Sequence, residues 1–190
     1  MTTKDLRILG ISIEAEEIPV SYLFGERFYQ EGLSEETTKR ISLIKDIIRE
    51  YNSSQPLDEG KAVWNSKDAA DLMQTVLLGL KHEELWAVFL GTGNLPIKRI
   101  KLAEGNSGSC LYDKQRIVRE LVMSGGKGIV IYHNHPSGNP QPSKHDIEET
   151  TQLSKMVALF GLAFVDHIIF SDGKYYSFAD SKEFEACIAK

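Results

Sequence analysis

The segment GIVIYHNHPSGNPQPSKHDIEETTQLSKMVALFG, Gly128 to Gly161, passes from an apolar run through a proline-rich loop into a helical pattern. The β-branched start reads as a strand, and the periodic stretch after Lys144, closed by Gly161, reads as a helix. In extended backbone side chains alternate, so His133 and His135 leave one face while Asn134 points the other way and can tie the turn from behind. Ten residues separate His135 from Asp146. Among them Pro136, Gly138, Pro140 and Pro142 preset backbone angles and reduce the entropy lost when a carboxylate is returned to the histidines. Two neutral imidazoles and one carboxylate match a zinc ion with a fourth position open to water, at distances of roughly 2.0–2.2 Å. A single histidine at a strand end is ordinarily a hydrogen-bonded surface residue; the combination is what points to metal. His145 sits more than a quarter-turn from Asp146 on a helix, which leaves it outside the ligand set.

Outward from this core the chain divides near residue 65. Before it, SEETTKRISLIKDIIREY opens on Ser34 and carries Ile41, Ile44, Ile47 and Ile48 at helical spacing, which predicts a capped amphipathic helix. NSSQPLDEGKA follows as a linker by composition. A second unit begins at Ser66, where SKDAADLMQTVLLGL predicts a helix capped by that serine. ELWAVFLG and LPIKRIKLAEG read as two strands paired across TGN. DKQRIVRELVMSGG then predicts a helix capped by Asp113, with Ile117, Leu121 and Val122 on one side. AFVDHIIF and DGKYYSF form a last strand pair around Asp172-Gly173, and the tail has room for one more helix. We therefore divide the chain into an extension over 1–65, a main domain over 66–182 and a tail over 183–190. The fold class is α/β, a mixed sheet covered by helices.

The chain has 190 residues, 42% hydrophobic and 26% charged, which suits a folded domain with a real core. Its formal net charge of -5 gives no overall attraction to nucleic acid or anionic membranes. No apolar run approaches a membrane span, and MTTKDLRILGISIEAEE is too acidic for a secretory signal. Cys110 and Cys187 stand far apart without a C-x-x-C spacing, as expected of a reducing compartment, so a cytoplasmic location is expected.

Hydrolysis at a zinc site also needs a group that moves protons. Glu83 and Glu84 before LWAVFLG, and Glu104 after the second strand, are the carboxylates at strand ends, and local sequence does not choose among them.

HNHPSGNPQPSKHD resembles the JAMM, or MPN-plus, metalloprotease signature, H-x-H, seven residues, Ser, two residues and Asp; His133, His135, Ser143 and Asp146 fall on it without a gap. The wider run from Ile131 to Asp180 resembles the RadC-like branch, bacterial proteins historically labelled DNA repair proteins, and the similarity spans about residues 66–180. The resemblance implies a JAB/MPN, cytidine-deaminase-like sheet sandwiched by helices, with the helical extension in front. It implies one zinc ion on His133, His135 and Asp146, a Glu on an earlier strand as general acid and base, and Ser143 as donor to the oxyanion. Glu84 fits the Glu position best, with Glu104 second. The implied reaction is attack of water on an amide or isopeptide carbonyl in a peptide or protein substrate; a nucleic-acid partner in repair or recombination is the alternative. Relatives commonly show G-T-x-N and H-P-R-E where this chain has GNSG and DKQR. Residues 1–65 show no Gly-rich hairpin of the helix-hairpin-helix kind.

Overall fold

Five strands, β1 (Glu83–Leu90), β2 (Pro96–Gly105), β3 (Gly128–Asn134), β4 (Ala163–Ser171) and β5 (Lys174–Ser177), form a sheet in the order β2-β1-β3-β4-β5. The structure is a computed structural model and describes residues 34–55, 57, 60–77, 79–105 and 112–181. The readings made on residues 1–33, on Cys110 and Cys187, on most of GNSG and on the tail lie outside these residues. Helices α1 (Glu35–Ser54), α2 (Ser66–Leu77), α3 (Lys114–Met123) and α4 (Lys144–Leu159) accompany the sheet. Neighbouring strands run antiparallel except β3 and β4, which are parallel.

The alternation of side chains builds two cores. Leu85, Ala87 and Phe89 of β1 and Ile129 and Ile131 of β3 pack with Ile117 and Leu121 of α3 and Leu153 and Val157 of α4. On the opposite face Val88, Leu90, Val130 and Tyr132 pack with Ala70, Met73 and Leu77 of α2. Each such aliphatic side chain contributes about 1.5–3 kcal/mol by leaving water, so the sheet is held from both sides. The parallel β3–β4 pair requires a crossover, and α4 supplies it. That connection sets the N-terminus of α4 beside the C-terminal end of β3, where the two histidines emerge.

The local readings hold with identifiable exceptions. Ser34 and Asp113 cap α1 and α3, their side chains accepting from the N–H of Thr37 and Arg116. The cap of α2 is Asn65 rather than Ser66: its Oδ1 accepts the Asp68 N–H, and Ser66 is already helical. On α3 the buried stripe is Ile117, Val118 and Leu121, while Val122 faces outward. On α1 Ile41 is buried but Ile47 and Ile48 are exposed. The helix contacts α2, and Arg99 of β2 donates to the carbonyls of Asn52 and Gln55 at 2.9 and 3.2 Å, satisfying acceptors at its C-terminal end. The β4–β5 turn has Asp172 at φ 49 and Gly173 at φ 72, both left-handed as a two-residue hairpin requires. Among the described residues no helix is long and apolar enough to cross a membrane.

Asp166 of β4 is the buried carboxylate that ties β4 to the chain beyond β5. It accepts from Ser177 Oγ at 2.6 Å, Ala179 N–H at 2.9 Å and its neighbour's N–H, that of His167, at 2.6 Å. Burial outweighs these donors and pushes its pKa up to about 6. Folding therefore favours its protonated form. The stability from this group is complete in acid and declines as pH rises from about 4, the ordinary aspartate value, through about 6. We expect the unfolding free energy of the wild type minus that of Asp166→Asn to shrink across this window in urea titrations. A difference that is flat or grows would contradict the assignment. Asp166→Ala, which leaves three buried donors without an acceptor, should cost about 2–4 kcal/mol.

Candidate metal centre

His133 ends the apolar run of β3, and His135 lies just past the strand, its N–H bonded to the Phe170 carbonyl at 2.8 Å. The His135 carbonyl accepts from Ser171 Oγ at 2.6 Å, so the backbone between the histidines and the loop is anchored to β4. Asn134 faces away, as the alternation requires. Its Oδ1 accepts the Glu84 N–H and its Nδ2 donates to the His82 carbonyl, both at 2.9 Å, which clamps β3 to the start of β1 from behind.

The proline loop returns the chain to α4. Gly138 has φ 85, a conformation that other residues adopt at a cost, and its N–H approaches the His135 carbonyl. Ser143 caps α4 by accepting the Asp146 N–H at 3.1 Å, while Asp146 Oδ2 accepts the Ser143 N–H at 2.6 Å. This reciprocal cap orients the Asp146 carboxylate at a helix N-terminus, where negative charge is favoured.

His133 Nε2 and His135 Nε2 lie 2.8 Å apart. Asp146 Oδ1 is 3.5 Å from the first and Asp146 Oδ2 is 3.4 Å from the second. Tetrahedral zinc at about 2.05 Å from each ligand implies ligand separations of about 3.3 Å, close to the two carboxylate distances. The hydrogen bonds agree with that chemistry. His135 Nδ1 lies 2.9 Å from the Asn139 carbonyl, an acceptor only, so Nδ1 carries a proton and Nε2 is the nitrogen turned toward His133 and Asp146. Burial and the neighbouring His167 push His133 well below its ordinary pKa, so its ring is neutral. Burial opposes the charge on Asp146, but the hydrogen bond with His135, the nearby His133 and the Ser143 cap outweigh it and hold the carboxyl far below its usual range. The donor set, two imidazole nitrogens and one ionised carboxylate close to one another, fits a divalent cation such as zinc.

A cleft of about 890 Å³ opens over this cluster and is lined by Glu83, Glu84, Tyr112, Ser143, Glu149 and the loop after His135. His145 lines it as well, apart from the three converging side chains.

Glu84 is not brought to the histidines. Leu85 pairs with His133 across β1 and β3 and shares its face, so Glu84, one residue earlier, faces the α2 side with Trp86 and Val88. Its carboxylate accepts from Trp86 Nε1 at 2.8 Å and Lys101 Nζ at 2.8 Å and meets His82 Nε2 at 3.0 Å. Burial raises its pKa, but these three partners overcome it and keep the group ionised. Glu84 also lines the cleft, but a carboxylate held by three partners and turned from the histidines' face of β1 is badly placed for a proton-transfer base. Glu104 belongs to the same cluster, paired with Lys101 and 3.2 Å from His82. His82, Glu84 and Glu104 could by type hold a metal, but the Lys101 ammonium already supplies the positive charge there. Glu83 shares the face of Leu85 and His133 and lines the cleft. Burial lowers the His135 pKa, but Asp146, the Asn139 carbonyl and, least, Glu83 outweigh it and raise the pKa.

Sequence reasoning passed over two further residues. His167 Nε2 lies 2.7 Å from His133 Nδ1, and Thr150 Oγ1 lies 2.6 Å from His167 Nδ1. Both are buried in β4 and α4, and their strand and helix positions carry no motif that would mark them. Burial pushes the His167 pKa down to about 4.

With this geometry in view the likeness to known proteins is specific. The chain is 33% identical over 143 residues to a UPF0758 protein of Flavobacterium johnsoniae, covering 75% of this chain and 62% of that one. It is 29% identical over 181 residues to a UPF0758 protein of Coprothermobacter proteolyticus, covering 93% and 67%. A UPF0758 protein of Shouchella clausii is 32% identical over 142 residues, 75% of this chain and 60% of the relative. The alignments thus span about three-fifths to two-thirds of these relatives' lengths. The RadC-like JAB domain family matches residues 63–183, which takes in the whole sheet, the proline loop and the three converging side chains, and the chain belongs to that family.

Proposed function

We propose that this chain is a zinc-dependent metallohydrolase of the peptidase or isopeptidase type, acting on an amide carbonyl in a peptide or protein substrate. The observation that carries the reading is the convergence of His133 Nε2, His135 Nε2 and the Asp146 carboxylate at the floor of an open cleft. These three residues would hold the ion, which when bound supplies an acidified water and Lewis-acid polarisation of the carbonyl.

The protein's own groups do the rest. Glu83, on the histidines' face of β1, takes a proton from the attacking water and returns it to the departing amine. Ser143 uses its oxygen to cap α4, so its hydroxyl proton is left to donate toward the oxyanion. Asn134 and the reciprocal cap hold the strand end and Asp146 in place, so the site is organised before substrate arrives. The Pro136–Pro142 loop forms one wall of the cleft and excludes water from one side of a bound chain.

Two outcomes test this reading. Purified chain loaded with zinc and dialysed should retain one equivalent by elemental analysis, and His133→Ala or Asp146→Ala should lose it; a wild type that retains none refutes the proposal. Amine release from a panel of tetrapeptides and Lys-Nε-linked peptides should require zinc. In the same assay Glu83→Gln should reduce the rate by about 10²–10⁴-fold with zinc retained. Glu84→Gln should leave rate and zinc content near wild type while lowering the melting temperature, because it uncouples Lys101 from a buried partner. The reverse pattern would return the proton-transfer role to Glu84.

A further inference from the structure

Thr150 and His167 form with His133 a hydrogen-bond chain whose direction follows from its far end. Thr150 Oγ1 lies 2.5 Å from the backbone carbonyl of Asp146. A carbonyl has no proton to offer, so the Thr150 hydroxyl donates to it. The same oxygen lies 2.6 Å from His167 Nδ1, and with its proton committed it acts there as acceptor. His167 therefore carries its proton on Nδ1. In the neutral ring Nε2 is then a lone pair, which faces His133 Nδ1 at 2.7 Å. That contact is a hydrogen bond only if His133 Nδ1 carries a proton. His133 Nε2 is then left as the lone pair aimed at His135 and Asp146.

We propose that Thr150 and His167 are positioning residues that select the metal-binding tautomer of His133, so that the backbone carbonyl of one ligand, Asp146, dictates the protonation of another. The inference rests on the zinc reading above and deepens it. Removing the hydroxyl reverses the chain: without an acceptor His167 gains by moving its proton to Nε2, where it donates to His133 Nδ1. The His133 proton then moves to Nε2, the atom a metal needs bare. The buried setting makes this more than a local preference, since no water replaces a missing partner. His167 also stacks on Phe178, with ring centroids 5.0 Å apart and an interplanar angle of 11°, which keeps its nitrogens in line with the chain.

The experiment uses the full chain with isosteric changes. Thr150→Val removes the hydroxyl and keeps the shape, and Thr150→Ser restores it. Long-range proton–nitrogen NMR on the metal-free protein should show His133 and His167 both protonated on Nδ1 in the wild type and in Thr150→Ser. In Thr150→Val the Nε2 forms should emerge. Zinc affinity by competition with a chromogenic chelator should fall about 10–100-fold in Thr150→Val and recover in Thr150→Ser. An Nε2-protonated His133 in the wild type, or unchanged zinc affinity in Thr150→Val, would overturn the relay. If the wild type shows the Nδ1 pattern but binds no zinc, the zinc reading fails and the proposed role falls with it. If the wild type binds zinc and Thr150→Val binds it equally, only the relay fails.

Discussion

Two imidazole nitrogens lie 2.8 Å apart in this protein, with a carboxylate 3.4 to 3.5 Å from them. Much of the surrounding structure can be read as what that arrangement requires. The Nδ1 side of His135 is engaged by the Asn139 carbonyl, and Asp146 is held by its own helix cap. Asn134 ties the strand between the histidines to β1, and Ser171 ties the residue after it to β4. A convergence of donors on this scale is costly for an apolar interior unless a cation neutralises it. The helix N-terminus under Asp146 offsets part of that cost.

The topology explains why the parts meet. A parallel β3–β4 pair cannot be closed by a tight turn, so the chain must leave the end of β3, cross over as α4 and return. The crossover starts where β3 ends, which brings the first turn of α4 to the histidines at no further cost in fold. Within that frame the two-residue period of β1 separates carboxylates that are adjacent in sequence. Glu83 takes the histidines' face; Glu84 also lines the cleft, but its carboxylate is held by Lys101, Trp86 and His82. The two have different chemistry because they have different neighbours. One lies on the histidines' face of β1, while the other serves the joint between β1 and β2.

The strand and helix pattern was legible because each element carries its own local physics. Ser34 and Asp113 cap where a short polar side chain should, Asp172-Gly173 turns where left-handed backbone is needed, and β3 is a short apolar run buried on both faces. The exceptions have the same origin. Val122 and Ile47 satisfy helical periodicity, but which side of a helical stripe is covered depends on the surface it meets. Asn65 displaced Ser66 as a cap because two adjacent residues can both fill that role, and the turn geometry decides between them.

By itself the sequence determined the α/β class, the site's three converging side chains and the stiff loop between them, since His-x-His, the prolines and Ser-x-x-Asp act through near neighbours. Only the tertiary structure decided which face of the sheet each nearby glutamate takes. Glu83 and Glu84 are equivalent as residue types, and the choice turns on the register of β1 against β3, a pairing between segments distant in the chain. The Thr150–His167–His133 chain was hidden for the same reason. Its members come from a strand, a helix and another strand, and nothing in any one segment tells a buried histidine which atom will hold its proton.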